Sequence, residues 1–457
     1  MSVTRTTGTA TRAAMRRIQA GNALSAFGLG FTVPYLYVYV AQVRGLGAGT
    51  AGAVLAVFAL AALVVLPFTG RVIDRRGPLP VLVGGAVVAA VGALAMGVAE
   101  NVPAVVPAAA LLGAGTAVMQ PALATMIVWC SGADSRTRAF ATQFFLSNLG
   151  LGVGGLIGGQ IVDESRPGSF TLLFSVEAVM FLVLAAVALT VRLPRPARLT
   201  AAVSLPGAGD GGGAADVGGG GRDGGGGLRA LLGHRAMVQL CGLGFVMFFA
   251  CYGQFESGLA AYGTEAAGID PATLGIALAA NTAVIVIAQF AVLRLVERRR
   301  RSRVIALVGL IWTVAWLLAG YAGLGPGLGL GGQDLATVAF VSTYALFGLG
   351  EAMLSPTVAP LVADLAPPSM IGRYNSVFAL VKQLALAVGP AVGGPMGAAL
   401  HGPYVVTFVL FSLGVTVLAL RLGRRLTPVQ DQPFLAAGSR VVARHLPDPD
   451  ATKAVSP

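Results

Sequence analysis

Four ionisable side chains stand within stretches of sequence otherwise too apolar to hold them: Glu177, Glu256, Glu351 and Lys382. A charge at the centre of a bilayer costs on the order of 3 kcal/mol on insertion scales, so each must be neutralised, paired or open to water. A carboxylate placed there can load and release a proton, bind a cation, or pair with a base. For Glu351 two readings stand side by side: a proton or cation site, and a structural pair with Lys382. Lys382 enters its apolar stretch ~14 Å beyond Arg373 at the helical rise, and its stem is long enough to snorkel to the inner interface, the reading preferred from length alone. Glu256 belongs to Tyr252-Gly253-Gln254-Phe255-Glu256-Ser257, near the outer end of its stretch. A helix puts Tyr252 and Glu256 on one face and Gln254 on another, which leaves the carboxylate at the headgroups or in a cavity. Glu177 has no partner nearby in sequence; it is expected to face a polar interior, with no role assigned. Tyr252, Gln254, Glu256, Glu351, Glu177 and Lys382 together make the candidate path for a proton or a substrate.

The elements that must position these groups are membrane helices. Of 457 residues, 56% are hydrophobic and 11% charged, too apolar a balance for a water-facing exterior. Apolar stretches of about 20 residues, the length that crosses ~30 Å of hydrocarbon, recur about twelve times. The net charge of +12 would suit a nucleic-acid binder, but its distribution does not. Basic residues fill alternate connections, and Arg44 and Arg166 alone fall in the others. That asymmetry predicts both termini in the cytoplasm, and the excess of Arg over Lys with Ala- and Gly-rich loops suits a GC-rich bacterium, so the plasma membrane of a bacterial cell is the expected location. Cys130, Cys241 and Cys251 lack metal or redox spacing, as do His234 and His401. No Ser, His or Cys constellation suggests an enzyme, and no metal or cofactor is expected. The tyrosines Tyr35, Tyr37 and Tyr39 read as an interfacial aromatic cluster.

Residues 113–159 repeat without a gap over residues 348–394, at a constant offset of 235. Gly113, Gly115, Pro121, Arg138, Gly154, Gly158 and Gly159 fall on Gly348, Gly350, Pro356, Arg373, Gly389, Gly393 and Gly394. Two such copies predict an all-α membrane protein of twelve helices, in two six-helix bundles related by a parallel repeat. Gly150, Gly154 and Gly158 lie on one helical face with Gly159 beside them, and Gly389, Gly393 and Gly394 follow the same spacing, so neighbouring helices can approach closely. The copies differ where Thr116 meets Glu351, Trp129 meets Asp364, Ser147 meets Lys382 and Gly155 meets Pro390. The C-terminal half is therefore expected to carry more of the ion chemistry. Around the halves, residues 1–17 read as a cytoplasmic tail, 18–191 as the first bundle, 192–235 as a glycine-rich flexible linker, 236–422 as the second bundle and 423–457 as a disordered cytoplasmic tail.

After the second stretch comes Gly70-Arg71-Val72-Ile73-Asp74-Arg75-Arg76-Gly77. It resembles the signature loop between the second and third helices of the major facilitator superfamily, G-x-x-x-D-R-x-G followed by two basic residues. Gly70, Asp74, Arg75 and Gly77 match, while Pro78 and Leu79 take the places of the basic pair. A weaker copy, Arg294-Leu295-Val296-Glu297-Arg298-Arg299, aligns with residues 71–76. Asp74 is expected to meet the positive end of a helix in the opposite half, the one starting near Arg373, as a gate that forms when the cytoplasmic side closes. Asp364 is expected to meet Arg298 or Arg294 there. The glycine stripes resemble the superfamily's antiporter signature, G-x-x-x-G-P-x-x-G-G: Gly155 replaces the proline in one half and Pro390 restores it in the other.

The resemblance implies a secondary transporter similar to the bacterial drug:proton antiporters, exporting a small amphipathic or drug-like molecule against protons as a monomer. The intramembrane arginine usual in proton-coupled members has no counterpart in Pro107–Gly113. An importer or uniporter of the same fold is the alternative, and a non-transporting membrane enzyme or sensor ranks last.

Overall fold

The computed structural model describes residues 2–32, 35–132, 135–163, 166–193, 231–255 and 257–433. Glu256, the linker at 194–230 and the tail beyond residue 433 lie outside the described residues. The helices are α1 (Ser2–Thr32), α2 (Gly47–Arg76), α3 (Pro78–Val98), α4 (Val102–Cys130), α5 (Arg136–Ile161), α6 (Pro167–Leu189), α7 (Arg235–Ala250), α8 (Gly258–Glu265), α9 (Pro271–Glu297), α10 (Arg301–Leu324), α11 (Gln333–Leu365), α12 (Ile371–Ala399), α13 (His401–Gly423) and the short α14 (Pro428–Asp431). Ten of them are long and apolar enough to cross a membrane. The remaining two crossings are α1, with a polar opening, and the broken pair α7–α8.

Each half is built alike. In the first, α1 packs between α5 and α6, α4 packs on α2 and α3, and α3 packs on α6. In the second, α7–α8 packs between α12 and α13, α11 packs on α9 and α10, and α10 packs on α13. Outward-facing residues such as Val64, Phe68, Leu156, Ile287 and Leu410 are largely exposed. Such a belt suits lipid and would be a liability in water.

The halves meet through α2 on α12, α4 on α12, and α5 on α9 and α11. An apolar cluster of Ile127, Val128, Phe140, Ala363 and Ile371 joins them near the end of the bundle that carries the α2–α3 loop and most of the arginines. This end is called the basic face below. At the opposite face Arg44 pairs with Glu100 at 3.4 Å and Arg166 with Asp163 at 3.4 Å.

Three expectations from sequence need correction. Residues 2–17 are the opening turns of α1 rather than a separate tail: they hold no proline, and their four Arg and three Ala favour helix enough to carry it through five Thr and Gly8. The chain after α13 does not fray at once, because Thr427 and Gln430 form a reciprocal capping box that starts α14. Tyr39 is fully buried, donating to the Met96 and Gly97 carbonyls at 3.0 and 3.1 Å, so it is a core residue and no part of an interfacial belt.

Candidate functional site

At the basic face, α12 begins with no cap of its own: the residue before it, Met370, offers no side-chain acceptor. Asp74 of α2 supplies the missing cap from the other half. Its Oδ1 accepts the Gly372 N–H at 2.7 Å and its Oδ2 the Arg373 N–H at 3.2 Å, with the Arg373 Nε 3.4 Å from Oδ2. A carboxylate on the positive end of a helix is worth up to ~2 kcal/mol when partly buried. Close backbone approach makes this possible. A Cβ on Gly70 would lie 2.6 Å from the Arg373 Cα, and one on Gly372 would lie 2.6 Å from Ile73 Cγ2. Gly77, at φ +86°, reverses the chain between α2 and α3 in a region where only glycine sits comfortably.

The repeat produces a second contact at the related position. Glu297, which aligns with Asp74, accepts both Nε and Nη2 of Arg138, which aligns with Arg373, at 3.1 Å each. The Arg138 and Glu297 side chains are 69% and 17% exposed, against 29% and 7% for Arg373 and Asp74. The two latches therefore differ in how far water and salt reach them. Asp364 meets neither Arg298 nor Arg294. It pairs with Arg301 of its own half, 2.7 Å away, and with Arg136 across the seam. The reason is register: α11 ends opposite the first turns of α10 and α5, one turn or more beyond the second signature loop. Arg75, Arg294 and Arg298 are exposed.

Midway along the bundle, Asn375 and Lys382 are seven residues apart and share a face of α12. The Asn375 Nδ2 donates to Thr125 Oγ1 of α4 at 3.4 Å, so that face is turned towards the other half. Lys382 does not snorkel to the interface. Its ammonium stands 5.2 Å from the Phe248 ring centre and 5.9 Å from that of Tyr252, attracted by Glu351 on α11. Two ring faces and a nearby acid compensate the charge more fully than a bent stem would. Glu351 is 4% exposed; its Oε1 accepts the Asn281 Nδ2 at 2.9 Å, and the Tyr252 hydroxyl lies within hydrogen-bonding reach. Phe248, Tyr252, Phe255, Phe378 and Lys382 are each only partly buried. Their rings run in series, Phe378 to Phe248 at 6.1 Å, Phe248 to Tyr252 at 5.1 Å and Tyr252 to Phe255 at 5.9 Å.

The helical register assumed for Tyr252 and Glu256 does not hold, because α7 ends at Ala250 and residues 251–255 turn. Gln254 is not in the path either. Fully buried, it donates to the Phe249 carbonyl at 3.0 Å and accepts the Tyr404 hydroxyl at 3.0 Å, satisfying backbone that the break leaves open. Gly393 makes its space, since a Cβ there would fall 1.9 Å from Gln254 Oε1. Gly389 lies against Gly253, and Gly397 against the Gly258 carbonyl. In the first half, Gly150 and Gly154 press on the Ala23 and Phe27 carbonyls of α1, Gly158 on Phe31, and Gly159 on the Tyr35 hydroxyl. Gly394 faces open space and Pro390 is exposed, so neither takes part in this packing. Glu177 faces no polar interior: it is 0% exposed between α6 and α1, with neither carboxylate oxygen hydrogen-bonded. The Thr32 hydroxyl of α1 lies within hydrogen-bonding reach of it and is shared with the Leu29 carbonyl at 3.4 Å.

Sequence reasoning missed Asn281, Arg301, Arg136 and Asp431. Asn281 is an amide within an apolar span and could have been flagged on that ground. The others sit among many charges at the basic face, where no spacing separates a partner from an anchor.

Comparison with known proteins agrees with this geometry. The family profile of the Major Facilitator Superfamily matches residues 20–390 and, overlapping, 264–447. The quinolone resistance protein NorA of Staphylococcus aureus is 24% identical over 139 residues, which is 30% of this chain and 36% of that protein, so the match spans about a third of the relative's length. Among solved structures, the transporter FucP in the outward conformation superposes with a TM-score of 0.67 at 15% identity, over 90% of this chain and 99% of that one. The human organic anion transporter MFSD10 gives 0.65 at 16% identity over 90% and 99%. The proton:xylose symporter XylE gives 0.65 at 13% identity over 90% and 95%. With two repeated six-helix halves, a signature loop latched across their seam and a family profile matched over most of its length, the chain belongs to the major facilitator superfamily of membrane transporters.

Proposed function

We propose that this transporter moves a small amphipathic molecule by rocking its halves, residues 18–191 and 236–422, around a central site, and that Glu351 couples the movement to protons. The observation that carries the reading is a buried carboxylate beside a half-buried lysine, on helices that face the seam. A proton on Glu351 removes a charge that otherwise resists dehydration when the site closes. The basic face is the cytoplasmic one by the charge asymmetry of its loops, so the latched state opens outward. The Asp74 and Glu297 latches break when it opens inward.

Export in exchange for protons is the direction that the likeness to a quinolone resistance protein supports. Inward co-transport is the second reading, and the position of Lys382 next to the proton-carrying carboxylate favours it. The test is reconstitution into liposomes with an imposed pH gradient, using a compound first found by growth of a sensitive host on a toxic panel. Glu351→Gln should abolish gradient-driven accumulation while leaving exchange at equal pH. Full gradient-driven activity in Glu351→Gln would remove Glu351 from the coupling.

A further inference from the structure

We infer that the central site takes a planar aromatic organic anion, held by Lys382 against the Phe248–Tyr252–Phe378 rings, and that Glu351 gains a proton as the anion binds. The inference rests on the reading of Glu351 as the coupling group, takes co-transport of the two directions above, and adds the substrate class and the sign of the coupling.

The argument begins with access. Of the two opposite charges, the ammonium is the one a solute can touch: Lys382 is partly exposed on the α12 face turned to the other half, while Glu351 is 4% exposed behind it on α11. A cationic solute would have to pass the ammonium to reach the carboxylate. An anionic one meets its counter-charge first. The surface around the ammonium is aromatic, with Phe248 and Tyr252 under it and Phe378 6.1 Å from Phe248. Such a wall stacks flat rings and leaves a single charge to be matched.

The coupling follows from charge balance. In the empty site the Glu351 carboxylate and the Lys382 ammonium offset each other. An anion that draws the ammonium towards itself leaves the carboxylate facing Asn281 on α9, and the Tyr252 hydroxyl and Cys251 thiol at the α7 break, none of them a cation. A bare buried carboxylate then takes a proton from water. The site is electrically neutral when empty and neutral again when it holds one proton and one monoanion. It carries a net charge when it holds either alone, and that charge opposes closure of the halves. Proton and anion accordingly travel together.

The experiment uses the full chain in lipid nanodiscs and three probes of one ring system: 2-naphthoate, 2-naphthamide and 2-naphthylmethylammonium. Calorimetry in buffers of different ionisation heat reads affinity and proton uptake together. Naphthoate should bind more tightly than either other probe by about tenfold or more, with proton uptake on binding. Lys382→Gln should reduce naphthoate to the level of the amide while leaving the amide unchanged, and Lys382→Arg should keep the preference. Glu351→Gln should still bind naphthoate, without proton uptake. Equal affinity for the three probes, a preference for the cation, no binding of any of them by folded protein, or proton release on binding would each overturn the inference. If gradient-driven transport is lost in Glu351→Gln while the anion preference is absent, the coupling role stands and this inference alone fails.

Discussion

The two halves use one packing scheme for two different jobs. Gly113 of α4 presses on the Phe58 carbonyl, and its counterpart Gly348 of α11 presses on the Asn281 carbonyl. The backbone contact is the same, but the first half places a phenyl ring there and the second an amide that holds Glu351. Thr116, the counterpart of Glu351, turns its hydroxyl back on Leu112 and Gly113 at 2.8 and 3.1 Å. Ser147, the counterpart of Lys382, accepts from Asn22 of α1 at 2.7 Å. The Thr116 and Ser147 hydroxyls are thus satisfied within the first half, whereas Glu351 and Lys382 at the related positions are charges left to respond to something that enters. The glycines at these close backbone contacts recur in both copies, and so do the seam arginines Arg138 and Arg373, whereas the charges of Glu351 and Lys382 stand in one copy only.

The largest expected contrast is between the two intramembrane carboxylates. Glu351→Gln should lower gradient-driven transport by at least about tenfold, whereas Glu177→Gln should leave it within about twofold; Glu177→Met should raise thermal stability, since it removes an unpaired buried group worth ~1–3 kcal/mol. Equal losses in both would dissolve the distinction drawn between the halves. Next come the glycines. Gly154→Ala and Gly397→Ala place a Cβ 2.1 and 2.0 Å from a backbone oxygen and should each cost ~1–3 kcal/mol in melting experiments, while Gly394→Ala, with nothing within 4 Å, should cost nothing measurable.

The latches should differ more modestly. Asp74→Ala removes a buried helix cap and should favour the open basic face by up to ~2 kcal/mol; Glu297→Ala breaks an exposed pair and should do so by no more than ~1 kcal/mol, an effect that fades in high salt. A cysteine at Ser355, whose hydroxyl meets the Phe140 carbonyl across the seam at 3.3 Å, reports either opening by its labelling rate in a background lacking the native cysteines. A larger effect from Glu297 would reverse the ranking. Asp431→Ala should cost about 1 kcal/mol for a lost helix cap, read as melting of the second half.

What the sequence made legible was what periodicity and identity encode. The apolar stretches, the offset of 235 and the glycine faces follow from helical geometry, and the Gly70–Gly77 loop pointed at the helix start near Arg373, where Asp74 indeed lies. Convergence of distant elements was not legible. Lys382 looked close enough to the interface to escape the bilayer, and only the meeting of α7, α11 and α12 shows why it stays. Gln254 looked like a cavity residue because nothing local reveals that α7 breaks at Ala250 and needs an amide to close the gap. Asp364 was given the wrong arginines because helix-end register cannot be read to one turn from a charge run.

The cap on α10 carries a consequence for how the molecule is made. Arg300 offers that helix no cap, and the acceptor for the Ser302 N–H, at 2.9 Å, is Asp431, which also takes the Ser302 hydroxyl at 3.0 Å. Asp431 follows Ser302 by 129 residues, and Gly372, which Asp74 caps, follows Asp74 by 298. A ribosome working at ~5–20 residues per second leaves both contacts unmade for several seconds or longer after the earlier residue emerges. Helices can therefore enter the membrane in order and pack within each half, but the halves are fastened at the basic face only once the start of α12 has been synthesised, and α10 is capped only once residue 431 follows. Nascent chains stalled just before residue 431 should hold the contact of Asp74 with α12 and lack the cap on α10.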